Sequence, residues 1–144
     1  MTASRPLDCP CGGAALHPPP GGAGAPRYAD CCGRFIDAGA AAPTALELMR
    51  SRYSAYVLGD TRYLRATWDT RTCPADLDAD GDGAPRWLGL SIKRHTPLDD
   101  THAEVEFVAR YKVGGRAHRL HETSRFVRDG DGRWRYVDGD VSDR

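Results

Sequence analysis

Four of the five cysteines in this 144-residue chain fall within 24 positions, as Cys9-Pro10-Cys11-Gly12-Gly13 and Cys31-Cys32-Gly33. Nothing else in the sequence limits the fold so strongly, because thiols this close must be paired, reduced or shared by a metal. A disulfide needs an oxidising compartment, and adjacent cysteines bridge each other only with strain. A redox pair more usually reads Cys-x-x-Cys, a spacing neither pair has. A tetrahedral metal site suits the pattern better. Cys-x-Cys and Cys-Cys each present two sulfurs from one tight turn, and Gly12, Gly13 and Gly33 allow backbone amides to turn back toward the thiolates. The preferred reading is one structural zinc on Cys9, Cys11, Cys31 and Cys32. The plainer alternative is four reduced thiols in a flexible leader. Cys73, next to Pro74, has no activating neighbour beyond Arg71 and reads as a bystander.

The compartment and the partners follow from composition. The opening MTASRPLDCPCGG has no apolar signal core, and no apolar run approaches the roughly 18 residues of a spanning helix. A cytoplasmic protein without membrane contact is therefore expected. Twenty basic and twenty acidic residues give zero formal charge, which argues against a phosphate-neutralising surface. Arg133-Trp134-Arg135 comes near a stacking platform for single strands, but the neutral balance leaves nucleic acid an unfavoured partner.

The chain divides by composition. Residues 1–42 carry the cysteines, a Pro/Gly-rich stretch (LHPPPGGAGAP) and the spacer DAGAAAP. The compact part spans 43–140, and 141–144 form a tail. Thr44-Ala45-Leu46-Glu47 is a capping box opening a helix, with Leu46, Met49, Tyr53 and Tyr56 on one face and Gly59 as its stop. Asp60 caps a second helix over about 61–66. Four strands are predicted at 86–95, 102–113, 117–128 and 133–140. Val105, Phe107, Ala109 and Tyr111 alternate with Glu104, Glu106 and Arg110, the period of a half-buried strand. Gly114-Gly115 and Asp129-Gly130-Asp131-Gly132 are hairpin turns. Helices followed by an antiparallel meander give an α+β fold, with the helices across one face of a strongly curved sheet. DADGDG (78–83) imitates half of a calcium loop, but Gly89 stands where the bidentate Glu belongs, so it reads as a solvated loop.

The string CPCGG…YADCCGRF resembles the zinc-binding SEC-C motif, with an enlarged interval of nineteen residues from Gly12 to Asp30. An insertion between two ligand pairs need not disturb a metal, since closure entropy grows slowly with length. His17, inside that interval, is a substitute ligand on this reading. From Thr44 onward, TALELMRSRYSAYVLGDTRYLRATW, RWLGLSI and VEFVARYKVGGRAHRLHETSRFVRDGDGRWRYVDGD resemble the bacterial YchJ-like family. The resemblance implies an N-terminal SEC-C knuckle joined to a cone-shaped α+β domain of the nuclear-transport-factor-like superfamily, enclosing a cavity. It implies no reaction. Asp69, in Thr67-Trp68-Asp69, stands where the family usually has His, and a second SEC-C motif does not follow Val141.

Such a cavity places Arg52, Tyr53, Trp68 and Asp69 from the helices, and His121, Glu122 and Arg125 from a strand, as candidate ligand-contacting residues. His121, Thr123 and Arg125 share one strand face, and Glu122, Ser124 and Phe126 the other. No spaced acid–base pair with an obvious orienter stands out. The leading expectation is therefore a zinc-binding adaptor, with a protein partner at the knuckle and a small ligand or partner at the cone. A homodimer through the sheet fits the same scheme. The alternatives are a small-molecule lyase, isomerase or hydrolase acting in the cavity, where a convergence of His121, Asp69 and an arginine would be required, and an RNA- or ribosome-associated knuckle protein.

Overall fold

A computed structural model of the chain describes residues 5–13, 25–79, 81 and 84–142. Most of the LHPPPGGAGAP stretch, His17 and three residues of DADGDG lie outside them. A 3-10 turn at Tyr28–Asp30 leads into the short helix α1 (Gly33–Ile36), which carries the chain to α2 (Ala45–Leu58) and α3 (Thr61–Ala66).

The start of α2 follows the sequence reading in one half only. Thr44 Oγ1 accepts from the Glu47 amide at 3.2 Å. The reciprocal arm of the capping box is replaced by a contact in space: Glu47 Oε2 lies 3.5 Å from Arg34 Nη2 of α1. Gly59, at φ +70°, closes α2, and the Asp60 amide reaches back to the Ala55 carbonyl at 2.8 Å. Asp60 then caps α3 by accepting from the Tyr63 amide at 3.0 Å.

The apolar face expected on α2 is only part of what the helix buries. Ala45, Leu48, Ser51, Ser54 and Ala55 are buried besides Met49 and Tyr53. Small side chains make this possible, because α1 and α3 can approach closely on the other sides. The fully buried Ser51 hydroxyl donates to the Leu48 carbonyl at 2.8 Å and bonds the Tyr63 hydroxyl at 2.7 Å, satisfying its polarity between α2 and α3.

Four strands, β1 (Arg86–Pro97), β2 (His102–Val113), β3 (Arg116–Arg128) and β4 (Trp134–Ser142), form one antiparallel sheet in the order β1-β2-β3-β4. The β2 alternation places Ala103, Val105, Phe107 and Ala109 inward, joined by Ile92 and Phe126. Gly114 and Gly115 turn β2 into β3 with positive φ values of 58° and 81°. Register shifts at Trp87/Gly89, Ile92/Arg94 and Arg125/Phe126 mark bulges, which bend strands and increase twist, so the sheet curls over the helices. β4 continues through Val141 and Ser142, beyond residue 140 where the sequence reading placed the tail, because β3 offers Glu122 and His121 as partners. After α3 the chain adds a parallel bridge to β4: the Asp69 amide bonds the Tyr136 carbonyl and the Tyr136 amide bonds the Thr67 carbonyl, both at 2.8 Å.

The buried residues form one continuous cluster. Cys9, Cys11, Cys31, Cys32, Tyr28 and Phe35 belong to it together with Leu48, Met49, Val105, Phe107 and Phe126. The cysteine segment is thus part of the core, where the sequence suggested a leader ahead of it.

Candidate metal centre and cavity

A short backbone clamp brings the two cysteine pairs together. Asp8 and Arg27 form an antiparallel bridge, the Cys9 amide donates to the Pro26 carbonyl at 2.8 Å, and the Tyr28 amide donates to the Leu7 carbonyl at 3.0 Å. The clamp closes beside Cys9 at one end and near the end of the enlarged interval, shortly before Cys31, at the other, so the ligand pairs are registered by neighbouring backbone rather than by the length between them. Beyond Cys11 the chain turns through Gly12 and Gly13 at φ +65° and +70°, and the Gly13 amide donates to Cys11 Sγ at 3.3 Å. At Gly33 a Cβ would stand 2.7 Å from the Tyr28 carbonyl oxygen, so Tyr28 can close over the second pair only with glycine there.

All four sulfurs are buried and lie within 4.8 Å of one another, with Cys11 and Cys31 Sγ atoms 3.6 Å apart. A disulfide would require about 2.05 Å. A tetrahedron of zinc–sulfur bonds near 2.3 Å has edges of about 3.8 Å, so this spacing suits a four-sulfur metal site. The cysteines can hold a metal ion. Cys9 Sγ also touches the Ser54 hydroxyl at 3.6 Å, tying the site to α2. Cys73 lies elsewhere, with its sulfur 3.9 Å from Arg65 Nη1.

The sulfurs compete for protons. Hydrogen bonding with Cys11 holds the Cys9 thiol far below its ordinary range and draws Cys31 to about 7, whereas Cys11 and Cys32 are pushed up, mainly by Cys31 and Cys11 respectively. Four adjacent thiolates repel one another when buried. A divalent cation held by Cys9, Cys11, Cys31 and Cys32 would remove that conflict and displace the protons.

A second site occupies the space between α2 and the concave sheet. It is a cavity of about 210 Å³ walled by Met49, Arg52, Tyr53 and Tyr56 of α2, Trp87 of β1, Phe107 and Ala109 of β2, Leu120, Glu122 and Ser124 of β3, and Tyr136 of β4. Arg52 is only 3% exposed. Its Nη1 donates to the Leu64 carbonyl at 2.9 Å and to Thr67 Oγ1 at 2.7 Å. The guanidinium lies over the Trp68 and Tyr136 rings, at 4.8 and 4.7 Å from their centroids. Burial lowers its pKa, although an arginine stays protonated at any physiological pH. Glu122 Oε2 accepts from the Ser124 hydroxyl at 2.5 Å and the Tyr136 hydroxyl at 3.1 Å. Burial raises Tyr136, with Glu122 adding to the effect, and burial takes Tyr53 to about 12, so both phenols keep their protons at neutral pH.

The sequence candidates separate in space. Arg52, Tyr53 and Glu122 line the cavity. Trp68 stands behind Arg52 and meets Tyr136 edge-on at 4.9 Å. Asp69 turns instead to Arg71, 2.7 Å away, whose guanidinium holds its carboxyl down to about 2. His121 lies on the outer sheet face, with Nε2 2.7 Å from Glu106 Oε2. Arg125 is on that face too, bound to Asp138 at 2.6 Å and Asp140 at 2.8 Å. His121, Asp69 and Arg125 therefore do not converge on the cavity.

Sequence reasoning passed over Ser124, Tyr136 and Tyr56 as wall residues. Tyr136 was hidden by parity: simple alternation puts it on the same face as Asp138. The bulge opposite Arg125/Phe126 inserts Val137, so Tyr136 faces inward against Phe126 while Asp138 pairs outward with Arg125.

A family model described as YchJ, middle NTF2-like domain, matches residues 44–139. A UPF0225 protein of Ralstonia nicotianae is 60% identical over 143 residues, covering 93% of this chain and 91% of that protein. A UPF0225 protein of Cupriavidus metallidurans is 56% identical over 141 residues, covering 94% and 90%. Among solved structures, a SEC-C motif containing protein from Rhodopseudomonas palustris superposes with a TM-score of 0.72 at 32% identity, over 83% of this chain and 94% of that one. A SEC-C motif containing protein from Psychrobacter arcticus gives 0.71 at 34% identity, over 95% and 84%.

Proposed function

Because the chain belongs to the UPF0225 family, with a YchJ-type NTF2-like domain behind a SEC-C motif, we propose that it is a metal-stapled binding module of the cytoplasm. One zinc ion on Cys9, Cys11, Cys31 and Cys32 serves as a structural staple, and the cone cavity takes a small ligand. The observation that carries the reading is the buried set of four sulfurs within 4.8 Å, packed in the same cluster as α2 and the sheet. Four thiolates fill a tetrahedral shell and leave no open position for substrate, which is the arrangement of structural rather than catalytic zinc. The knuckle also carries an apolar edge for a protein partner at Leu7, which is 67% exposed beside the clamp.

The absence of His121, Asp69 and Arg125 from the cavity wall favours binding over the lyase, isomerase or hydrolase reading. Elemental analysis of protein purified without added metal tests the staple. About one zinc per chain is expected, falling to near zero in Cys32→Ser. Zinc far below stoichiometric amounts, or another metal in its place, would overturn it.

A further inference from the structure

The cavity carries a charge arrangement that the protein itself leaves incomplete. Arg52 is 3% exposed, yet both its hydrogen bonds go to neutral acceptors, the Leu64 carbonyl and Thr67 Oγ1. Among the described residues it forms no salt bridge, and the Tyr56 phenol beside it is a neutral partner as well. A buried charge normally has a partner of opposite sign, because desolvation is otherwise uncompensated; two ring faces offset only part of that cost.

Glu122 lines the same cavity but does not serve as that partner. Its Oε2 is taken by Ser124 and Tyr136, while Oε1 makes no hydrogen bond among the described residues. Its position is fixed by Gly139 of β4, where a Cβ would come within 2.6 Å of the Glu122 Cδ. The glycine lets the carboxylate lie against the neighbouring strand, apart from Arg52. A cation seeking an anion and an acceptor seeking a donor thus share one small space. The wall around them is aromatic, with Trp87 5.8 Å from Tyr53 and 5.7 Å from Tyr56 between ring centroids. At about 210 Å³ the space is below the roughly 300–1,000 Å³ of drug-sized sites.

We propose that this cavity binds a small planar aromatic acid, whose carboxylate meets Arg52, whose ring lies against Trp87, and whose O–H or N–H donates to Glu122. The proposal rests on the reading of the cone as a ligand-binding domain and names its ligand class.

The test is calorimetric titration of the zinc-loaded full chain with three probes. 4-Hydroxybenzoate has the acid and the donor, 4-hydroxybenzamide lacks the charge, and benzoate lacks the donor. Saturable binding of 4-hydroxybenzoate is expected, with the other two at least about tenfold weaker. Arg52→Lys should weaken 4-hydroxybenzoate by a similar factor, because an ammonium cannot reproduce the planar fork. Glu122→Gln should narrow the gap between 4-hydroxybenzoate and benzoate while leaving benzoate unchanged. Leu120→Trp, which fills the cavity without touching either charge, should abolish binding, and the melting curve of each variant reports whether it is folded. Equal affinity for acid and amide, unaffected by Arg52→Lys, would overturn the acid class while leaving a binding cavity in place. If none of the three saturates at about 10 mM, both the inference and the ligand-binding half of the proposed function fall. The zinc content stands or falls separately.

Discussion

The cysteine knuckle and the cone cavity lie on different sides of α2 and handle buried polarity in contrary ways. At the knuckle, Cys9 meets Ser54, and four like groups converge closely enough to hold a metal ion. At the cavity, Met49, Arg52 and Tyr56 project from another side of the helix, and two unlike charges are held apart. Convergence of four identical soft donors makes a closed set that suits a metal ion and leaves no donor facing outward. Separation of opposite charges by a glycine and a bulge makes an open one, with hydrogen-bonding capacity to spare. A single helix can support both because it is buried almost all round, through small residues at Ser51, Ser54 and Ala55.

The contrast is sharpest if the knuckle is broken. Structural zinc in small sites contributes an apparent 10–16 kcal/mol, so Cys32→Ser or chelation should give the largest loss of stability. Hydrogen exchange should lose protection first in residues 9–13 and 25–36. The melting temperature of the whole chain should also fall, since the cysteines share the core cluster. An unchanged melting temperature would reduce the knuckle to an appendage. Next in size is Phe126→Ala, at a side chain 1% exposed beneath the sheet. Urea unfolding should register a loss of about 3–5 kcal/mol with zinc content intact. Zinc loss in that variant would mean that the two regions do not fail independently.

Gly139→Ala probes the cavity directly. Its Cβ would collide with the Glu122 side chain, so a cost of about 1–3 kcal/mol is expected. Most of that cost should vanish in a Glu122→Ala background, and purely additive effects would refute the close approach. The smallest effect concerns Asp69, which is held by Arg71 below its ordinary 3.8, at about 2. A depressed carboxyl contributes stability above its unfolded pKa and loses it as pH falls through the folded value. The contribution should be complete above about pH 4 and disappear toward pH 2, and Asp69→Asn should flatten that part of the acid unfolding curve. Because Arg71 is largely exposed, solvent screening keeps the effect small.

Much of the fold is legible locally. Thr44 as a cap, Gly59 as a stop, Asp60 as a second cap, the β2 alternation and the Gly114-Gly115 turn all work through neighbours a few residues away. The cavity was less legible because its wall depends on register. Alternation puts His121 and Glu122 on opposite faces, but only the packed sheet decides that His121 meets Glu106 outside while Glu122 and Ser124 face the cavity. Asp69 looked available until Arg71, two residues on, claimed it.

By itself the sequence determined the two cysteine pairs, the elements and their order, because thiol spacing, capping and alternation act over short distances. The tertiary structure alone decided that the pairs meet in the core through the clamp between residues 7–9 and 26–28, and that Glu47 answers Arg34 rather than Thr44. It also decided that a single inserted residue, Val137, turns Tyr136 toward Arg52 and Glu122. Each of these joins residues far apart in the chain, and such contacts are set by strand register and helix packing rather than by any local pattern.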